Sequence, residues 1–171
     1  TLNINPAATP LSIEVSPVTV DLPELILLKE KQVSRVSIGV QSFHQEDMTM
    51  LKRYQQAKTL YNILENLLKI NFPVLNIDLI YGIPGQTEKR WYFSLQTAMD
   101  FFPDEIYIYP FYYREYTPMA LLGPGSIDAR DKKKMLHYYE IGRDFLLSHG
   151  YRQSSMRKFY KKGLVFEKNG T

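Results

Sequence analysis

Four places in this chain put polar side chains at the downstream end of a β-rich run: Glu14 in LSIEV, Gln41 in VSRVSIGVQSF, Asp78 in VLNIDLIYG, and residues 112–115 after EIYIYP. Asp78 poses the sharpest question, because it sits between Ile77 and Leu79 in a run that reads as a buried strand. Burying an unpaired carboxylate costs several kcal/mol, so Asp78 must find hydrogen-bonding partners. Taken singly, each residue has a plain structural role: Asp78 capping a neighbouring loop, Glu14 on a solvated strand end, Gln41 tying two loops through its amide. Their shared position favours a ligand site, since a polar small molecule would satisfy such groups where water is excluded.

Other chemistry is narrowed by elimination. The turn GIPGQT after Asp78 precedes a helix, but Gln86 stands where a Walker motif needs Lys, and the dinucleotide pattern lacks its third Gly. A tight strand-to-helix turn is expected, able to offer backbone N–H groups. His44, His137 and His149 lack metal-ligand spacing, although His44, just after a strand, is placed to reach a ligand. The serines at 12, 16, 34, 37 and 42 form no nucleophile elbow. The chain has no cysteine, which excludes disulfides, thiolate metal sites and a Cys nucleophile. Tyr107, Tyr109, Tyr112, Tyr113 and Tyr116 form an aromatic patch, readable equally as core packing with hydroxyls at the rim or as a floor for a flat ligand.

The elements that must position these groups alternate. Strands are expected at 11–15, 33–43, 74–82 and 105–113, with a last strand at 151–160. Asp21 and Pro23 open a helix over 21–31, and a short helical excursion follows the second strand. Helix 58–70 carries an apolar stripe at Leu60, Ile63, Leu64, Leu67 and Leu68. The helix from Thr87 is expected to bury Trp91, Leu95, Ala98, Met99 and Phe102, and that over 129–148 Met135, Tyr139, Gly142 and Leu146. Repeated βα units imply right-handed crossovers and a parallel sheet, whose ligands meet the carboxyl ends of the strands.

At 171 residues and 44% apolar content the chain supports one domain, over 11–160, with a linker at 1–10 and a basic tail at 161–171. A net charge of +3, with only Lys161, Lys162 and Lys168 clustered, argues against nucleic acid. No apolar run reaches the roughly 20 residues needed to cross a bilayer, and no signal pattern opens the chain, so a cytoplasmic location is expected.

Three blocks carry a resemblance: IEVSP (13–17), RVSIGVQSF (35–43) and NIDLIYGIPGQT (76–87). They resemble the oxygen-independent coproporphyrinogen III oxidase family of radical S-adenosylmethionine (SAM) proteins. Pro103-Asp104-Glu105-Ile106 leading into Tyr109-Pro110, and Gly150-Tyr151 through Ser155-Met156-Arg157-Lys158-Phe159, extend the likeness over about 11–160. The resemblance implies an α/β fold, a partial parallel (β/α) barrel of about four βα units corresponding to strands 3–6 of a (β/α)6 barrel. It also implies that Glu14, Gln41, Arg53 and Asp78 contact SAM, with Arg53 offering its fork to a carboxylate.

One departure matters. The family holds a [4Fe–4S] cluster on a Cys-x-x-x-Cys-x-x-Cys loop, and this chain has no such ligands. The expectation is a C-terminal barrel segment that contributes SAM-binding residues and is inactive alone, with no assignable catalytic residue and no metal ligands. Its open sheet edge is expected to meet the missing N-terminal barrel half or another copy of itself. The alternative is a non-catalytic haem- or tetrapyrrole-binding module; a weaker third reading is a barrel fragment binding a phosphorylated metabolite at GIPGQT.

Overall fold

The computed structural model describes residues 10–53, 55–112, 132–161 and 163. In chain order the elements are β1 (Ser12–Val15), α1 (Leu22–Glu30), β2 (Arg35–Gln41), α2 (Gln45–Met50), α3 (Ala57–Ile70) and β3 (Val74–Tyr81). They continue with α4 (Glu88–Met99), β4 (Glu105–Pro110), α5 (Lys132–Ser148), β5 (Tyr151–Gln153) and β6 (Lys158–Lys161). Residues 1–9 of the expected linker at 1–10, most of the expected tail at 161–171, and Tyr113 to Tyr116 lie outside the described residues.

Helix boundaries follow local chemistry. Asp21 accepts the Glu24 N–H at 2.9 Å while the Glu24 carboxylate takes the Asp21 N–H at 3.1 Å, a reciprocal capping box that starts α1. The Thr87 hydroxyl caps α4 through the Arg90 N–H. Asn71, left-handed at φ 56°, ends α3. The α3 stripe is buried at Leu60, Ile63, Leu64 and Leu67, whereas Leu68 is exposed. In α4, Trp91, Leu95 and Ala98 are buried as expected. Phe102 is not: the helix ends at Met99, Phe102 adopts φ 47°, and the residue is 71% exposed while Phe101 takes the inward place. Phe102 lies past the helix end, where the spacing of 100° per residue no longer applies.

The six strands form one sheet in the order β1-β2-β3-β4-β6-β5. The first four are parallel, the expected partial (β/α) barrel. Residues 151–160 are not one strand but a hairpin, with β6 antiparallel to β4 and β5 antiparallel to β6. The Ser155 hydroxyl turns the chain there by accepting the N–H groups of Arg157 and Lys158.

Strand alternation sorts the sheet into two unlike faces. Val36, Ile38 and Val40 of β2, Ile77 and Leu79 of β3, Ile106 and Ile108 of β4 and Phe159 of β6 are buried in the core, together with Leu64, Trp91 and Leu146 from the helices. The other face presents Ser12 and Glu14, Arg35, Ser37 and Gly39, Asn76 and Asp78, Glu105 and Tyr107, and Lys158. The register aligns Glu14 with Ser37, Ser37 with Asn76, Asn76 with Glu105, Gly39 with Asp78, and Asp78 with Tyr107. Among the described residues no helix is long and apolar enough to cross a membrane.

Candidate functional site

The polar face encloses a cavity of about 320 Å³ lined by Ser12, Glu14, Arg35, Ser37, Asp78, Tyr107 and Tyr109. Asp78 is a buried member of this lining. Its Oδ1 accepts from Asn76 Nδ2 at 2.7 Å and its Oδ2 from the Ser37 hydroxyl at 3.1 Å. Asn76 Nδ2 also donates to Ser37 Oγ at 2.6 Å, and the buried Asn76 Oδ1 has no partner among the described residues. Burial raises the Asp78 pKa above the ordinary carboxylate range; the hydrogen bonds from Asn76 and Ser37 oppose this, and the Glu14 charge adds to it. A carboxylate under that tension gains from a ligand that donates hydrogen bonds or carries positive charge. Glu14, exposed at the tip of β1, lines the same cavity.

Beside the cavity, and sharing Arg35 with its lining, lies an ion cluster. Glu105, only 4% exposed, receives Arg35 Nε at 2.8 Å on one oxygen and Lys158 Nζ at 2.6 Å on the other. Arg35 also donates to the Ser12 hydroxyl at 3.1 Å. Both cations sit over the Tyr107 ring, at 5.6 and 5.9 Å from its centre. Tyr107 and Tyr109 stack at 6.0 Å with 18° between ring planes, and burial raises the Tyr109 pKa.

Gln41 closes β2. It is buried and left-handed at φ 70°, at a register shift opposite Leu79. A Cβ on Gly39 would lie 2.8 Å from Gln41 Nε2, so the missing side chain makes room for this amide beside the Asp78 register position. The structure therefore brings Glu14 and Asp78 into one cavity with Gln41 close to it. Arg53 does not join them: it is exposed in the segment after α2 and does not line the cavity.

A second buried network ties the loops downstream of β2 and β3. Asp47 of α2, fully buried, accepts from the Ser42 hydroxyl at 2.9 Å, Gln86 Nε2 at 3.0 Å and Arg90 Nη1 at 3.3 Å. Gln86 Oε1 accepts the Gly82 N–H at 2.8 Å, and the Tyr138 hydroxyl donates to the Gln86 carbonyl at 2.6 Å. The turn GIPGQT is thus braced by its own glutamine. Reasoning from sequence missed Asp47, whose partners come from three other segments. A hollow of about 460 Å³ between α2 and this turn includes Arg90, but that guanidinium already pairs with Glu46 and Asp47.

The histidines stand apart. His44 packs edge-on against Phe93 of α4, His137 pairs with Glu88 at 2.8 Å, and His149 stacks on Phe145. Among the described residues no group of His, Cys, Asp or Glu could hold a metal ion. An iron–sulfur cluster does not fit the residues present, because the chain supplies no thiolate. The two carboxylates lining this cavity favour hydrogen-bond donors and positive charge over anions.

Comparison with known proteins bears on the family and the fold. The family described as the radical SAM superfamily matches residues 3–98. The chain is 27% identical over 161 residues to the heme chaperone HemW of Bacillus subtilis, covering 94% of this chain and 42% of that one. It is 34% identical over 99 residues to oxygen-independent coproporphyrinogen III oxidase of Escherichia coli, covering 58% of this chain and 22% of the relative. The solved structure of coproporphyrinogen III oxidase (HemN) from Escherichia coli, a radical SAM enzyme, superposes with a TM-score of 0.79 at 27% identity, over 91% of this chain and 36% of that one. The chain therefore spans less than half the length of these relatives.

Proposed function

This chain belongs to the radical SAM superfamily, and from that premise we propose that its inner sheet face holds part of an S-adenosylmethionine site in an enzyme resembling oxygen-independent coproporphyrinogen III oxidase. The observation that carries this reading is the pair of carboxylates, Glu14 and Asp78, lining one cavity with the hydroxyls of Ser12 and Ser37. When bound, S-adenosylmethionine supplies hydrogen-abstracting chemistry once an electron reaches it. The chain's own residues bind and orient. Asp78 and Glu14 accept hydrogen bonds from hydroxyl or ammonium groups and offset positive charge. The Gln41 amide can donate and accept beside them. Arg53, outside the cavity wall, is proposed on resemblance alone to meet the carboxylate. With no thiolates, this segment binds without driving cleavage, and we place it in the cytoplasm.

Among the described residues β1 pairs on one side only, with β2, and Val18, Leu22, Ile26 and Leu27 are exposed on and before the adjoining α1. We propose that the remaining barrel units, or a second copy, cover this edge. A monodisperse monomer in light scattering across a wide concentration range counts against it.

Calorimetry with S-adenosylmethionine on this chain tests the main reading. Saturable heat that weakens in Glu14→Gln and Asp78→Asn supports it; no heat at about 1 mM ligand, a concentration at which even a weak site binding with about 4 kcal/mol is half filled, overturns it. A second reading, haem or tetrapyrrole binding, is favoured by the stacked Tyr107 and Tyr109 and by the relative named as a heme chaperone. Haemin titration followed at the Soret band decides it: a saturable shift supports the module, its absence removes it.

A further inference from the structure

Three basic side chains gather around the tyrosines of β4: Arg35, Lys158 and Arg157. The first two are held by Glu105. Among the described residues Arg157 has no carboxylate partner. Its guanidinium carbon lies 5.4 Å from the centre of the Tyr109 ring and 5.7 Å from that of Tyr112, and Nη2 donates to the Tyr112 hydroxyl at 2.7 Å. The backbone beneath it is also fixed. The Arg157 carbonyl accepts the Ile108 N–H at 3.0 Å, and its own N–H donates to Ser155 Oγ at 3.2 Å. The β5–β6 turn is thereby pinned to β4.

We propose that Arg157, clasped between Tyr109 and Tyr112, is a docking point for a carboxylate on the molecule that shares this face with the Glu14–Asp78 cavity. The inference rests on reading the inner face as a ligand site. A guanidinium has five N–H donors in a planar fork, and one of them is engaged by Tyr112. The rings hold the fork in place by cation–π contact, which lowers the ordering needed when a planar anion arrives. Tyr109 belongs both to the clasp and to the cavity wall, so the two sites adjoin. They differ in sign: Glu14 and Asp78 repel an anion that Arg157 attracts. A ligand bearing a carboxylate is therefore accepted in one orientation, with its anionic end at the β5–β6 turn. Arg35 and Lys158 suit this role less, because Glu105 already offsets their charge.

The test uses the full chain with ¹⁵N-labelled arginine. Isophthalate, a planar dicarboxylate, is the probe, inorganic phosphate the comparison, and the Arg157 Nε–H resonance, identified by its loss in Arg157→Lys, the readout. Isophthalate should shift this resonance saturably. Arg157→Lys, which keeps the charge and loses the fork, should raise the isophthalate Kd about tenfold, measured by calorimetry, and Tyr112→Phe by a smaller factor. Heat from S-adenosylmethionine should be the same in Arg157→Lys as in the unaltered chain. No saturable shift, an unchanged Kd in Arg157→Lys, or phosphate binding as tightly as isophthalate each overturns the assignment. Isophthalate binding at Arg157 in a chain that gives no heat with S-adenosylmethionine upholds this site while removing the cofactor reading.

Discussion

Asp78→Asn separates a carboxylate kept for a ligand from one kept for the fold. The substitution preserves shape, and an amide oxygen can still accept Asn76 Nδ2, which lies 2.7 Å from the present oxygen. What changes is charge and one acceptor position. A hydrogen bond to an ionised acceptor contributes roughly 1.5–3 kcal/mol against about 1 kcal/mol for a neutral pair, and the new NH₂ opposes a ligand donor; together these cost about 2 kcal/mol, or about thirtyfold in Kd. Stability moves the other way. Because the folded state raises the Asp78 pKa, the folded protein binds the proton more tightly than the unfolded chain. Its contribution is fully favourable below the unfolded carboxylate value and is lost as pH rises through the raised folded value. Asp78→Asn carries no such titration. The difference in melting temperature, variant minus parent, should therefore grow more positive as pH rises from about 3 through the carboxylate range, and the variant should melt no lower than the parent at pH 7. Calorimetric titration of S-adenosylmethionine and thermal melts across that range are the measurements. An unchanged Kd, or a variant that melts several degrees lower at neutral pH, refutes the reasoning and makes Asp78 a structural residue.

Gly39→Ala places a methyl 2.8 Å from Gln41 Nε2, the far end of a flexible side chain. The fold should lose under about 1 kcal/mol in urea melts while S-adenosylmethionine binds several-fold more weakly; a large stability loss with intact binding contradicts the role given to the amide. At Gly142 an added Cβ meets Trp91 Cζ2 at 2.9 Å and Ile108 Cδ1 at 3.2 Å, and Trp91 is locked by its Nε1–H donated to the Tyr138 carbonyl. Overpacking costs about 1–3 kcal/mol against a helix gain of about 0.5–1, so Gly142→Ala should destabilise by about 1 kcal/mol, and a stabilised variant refutes the close approach of α5 to α4. Asp47→Ala strips the acceptor from Ser42, Gln86 and Arg90 and should cost about 3–5 kcal/mol, with Asp47→Asn losing clearly less; a loss under about 1 kcal/mol shows that other groups brace the turn.

Much of the architecture was legible from residue order. The alternation of Val36, Ile38 and Val40 with Ser37 and Gly39 states which face of β2 is buried, and Asp78 within NIDLIYG marks the polar face of β3. The Asp21–Glu24 capping box and the stripe of α3 are local, so three or four neighbouring residues suffice to reveal them. Glu14 and Asp78 could be expected to share one cavity because parallel strands put their carboxyl ends at one edge. Other features depend on registers and turns that local patterns do not encode. Phe102 has the right spacing for an inward place, yet a left-handed residue after Met99 turns it to solvent. The segment 151–160 has strand composition throughout, and only its pairing with β4 makes it a hairpin.

Sequence by itself determined that this chain builds repeated βα units with polar residues at their tips, because periodicity and burial are properties of each segment alone. Tertiary structure decided which of those residues meet. Asp78 faces Ser37 from 41 positions away, Glu105 joins Arg35 and Lys158 across three strands, Asp47 gathers Ser42, Gln86 and Arg90, and Arg157 reaches Tyr112 from 45 positions on. Arg53, named from motif position, lies outside the cavity, whereas Arg157, noted only within a supporting block and given no role there, stands at its tyrosine wall. The physical reason is that a charge is placed by its partners, and those partners are set by strand register and loop closure, which no single stretch of chain contains.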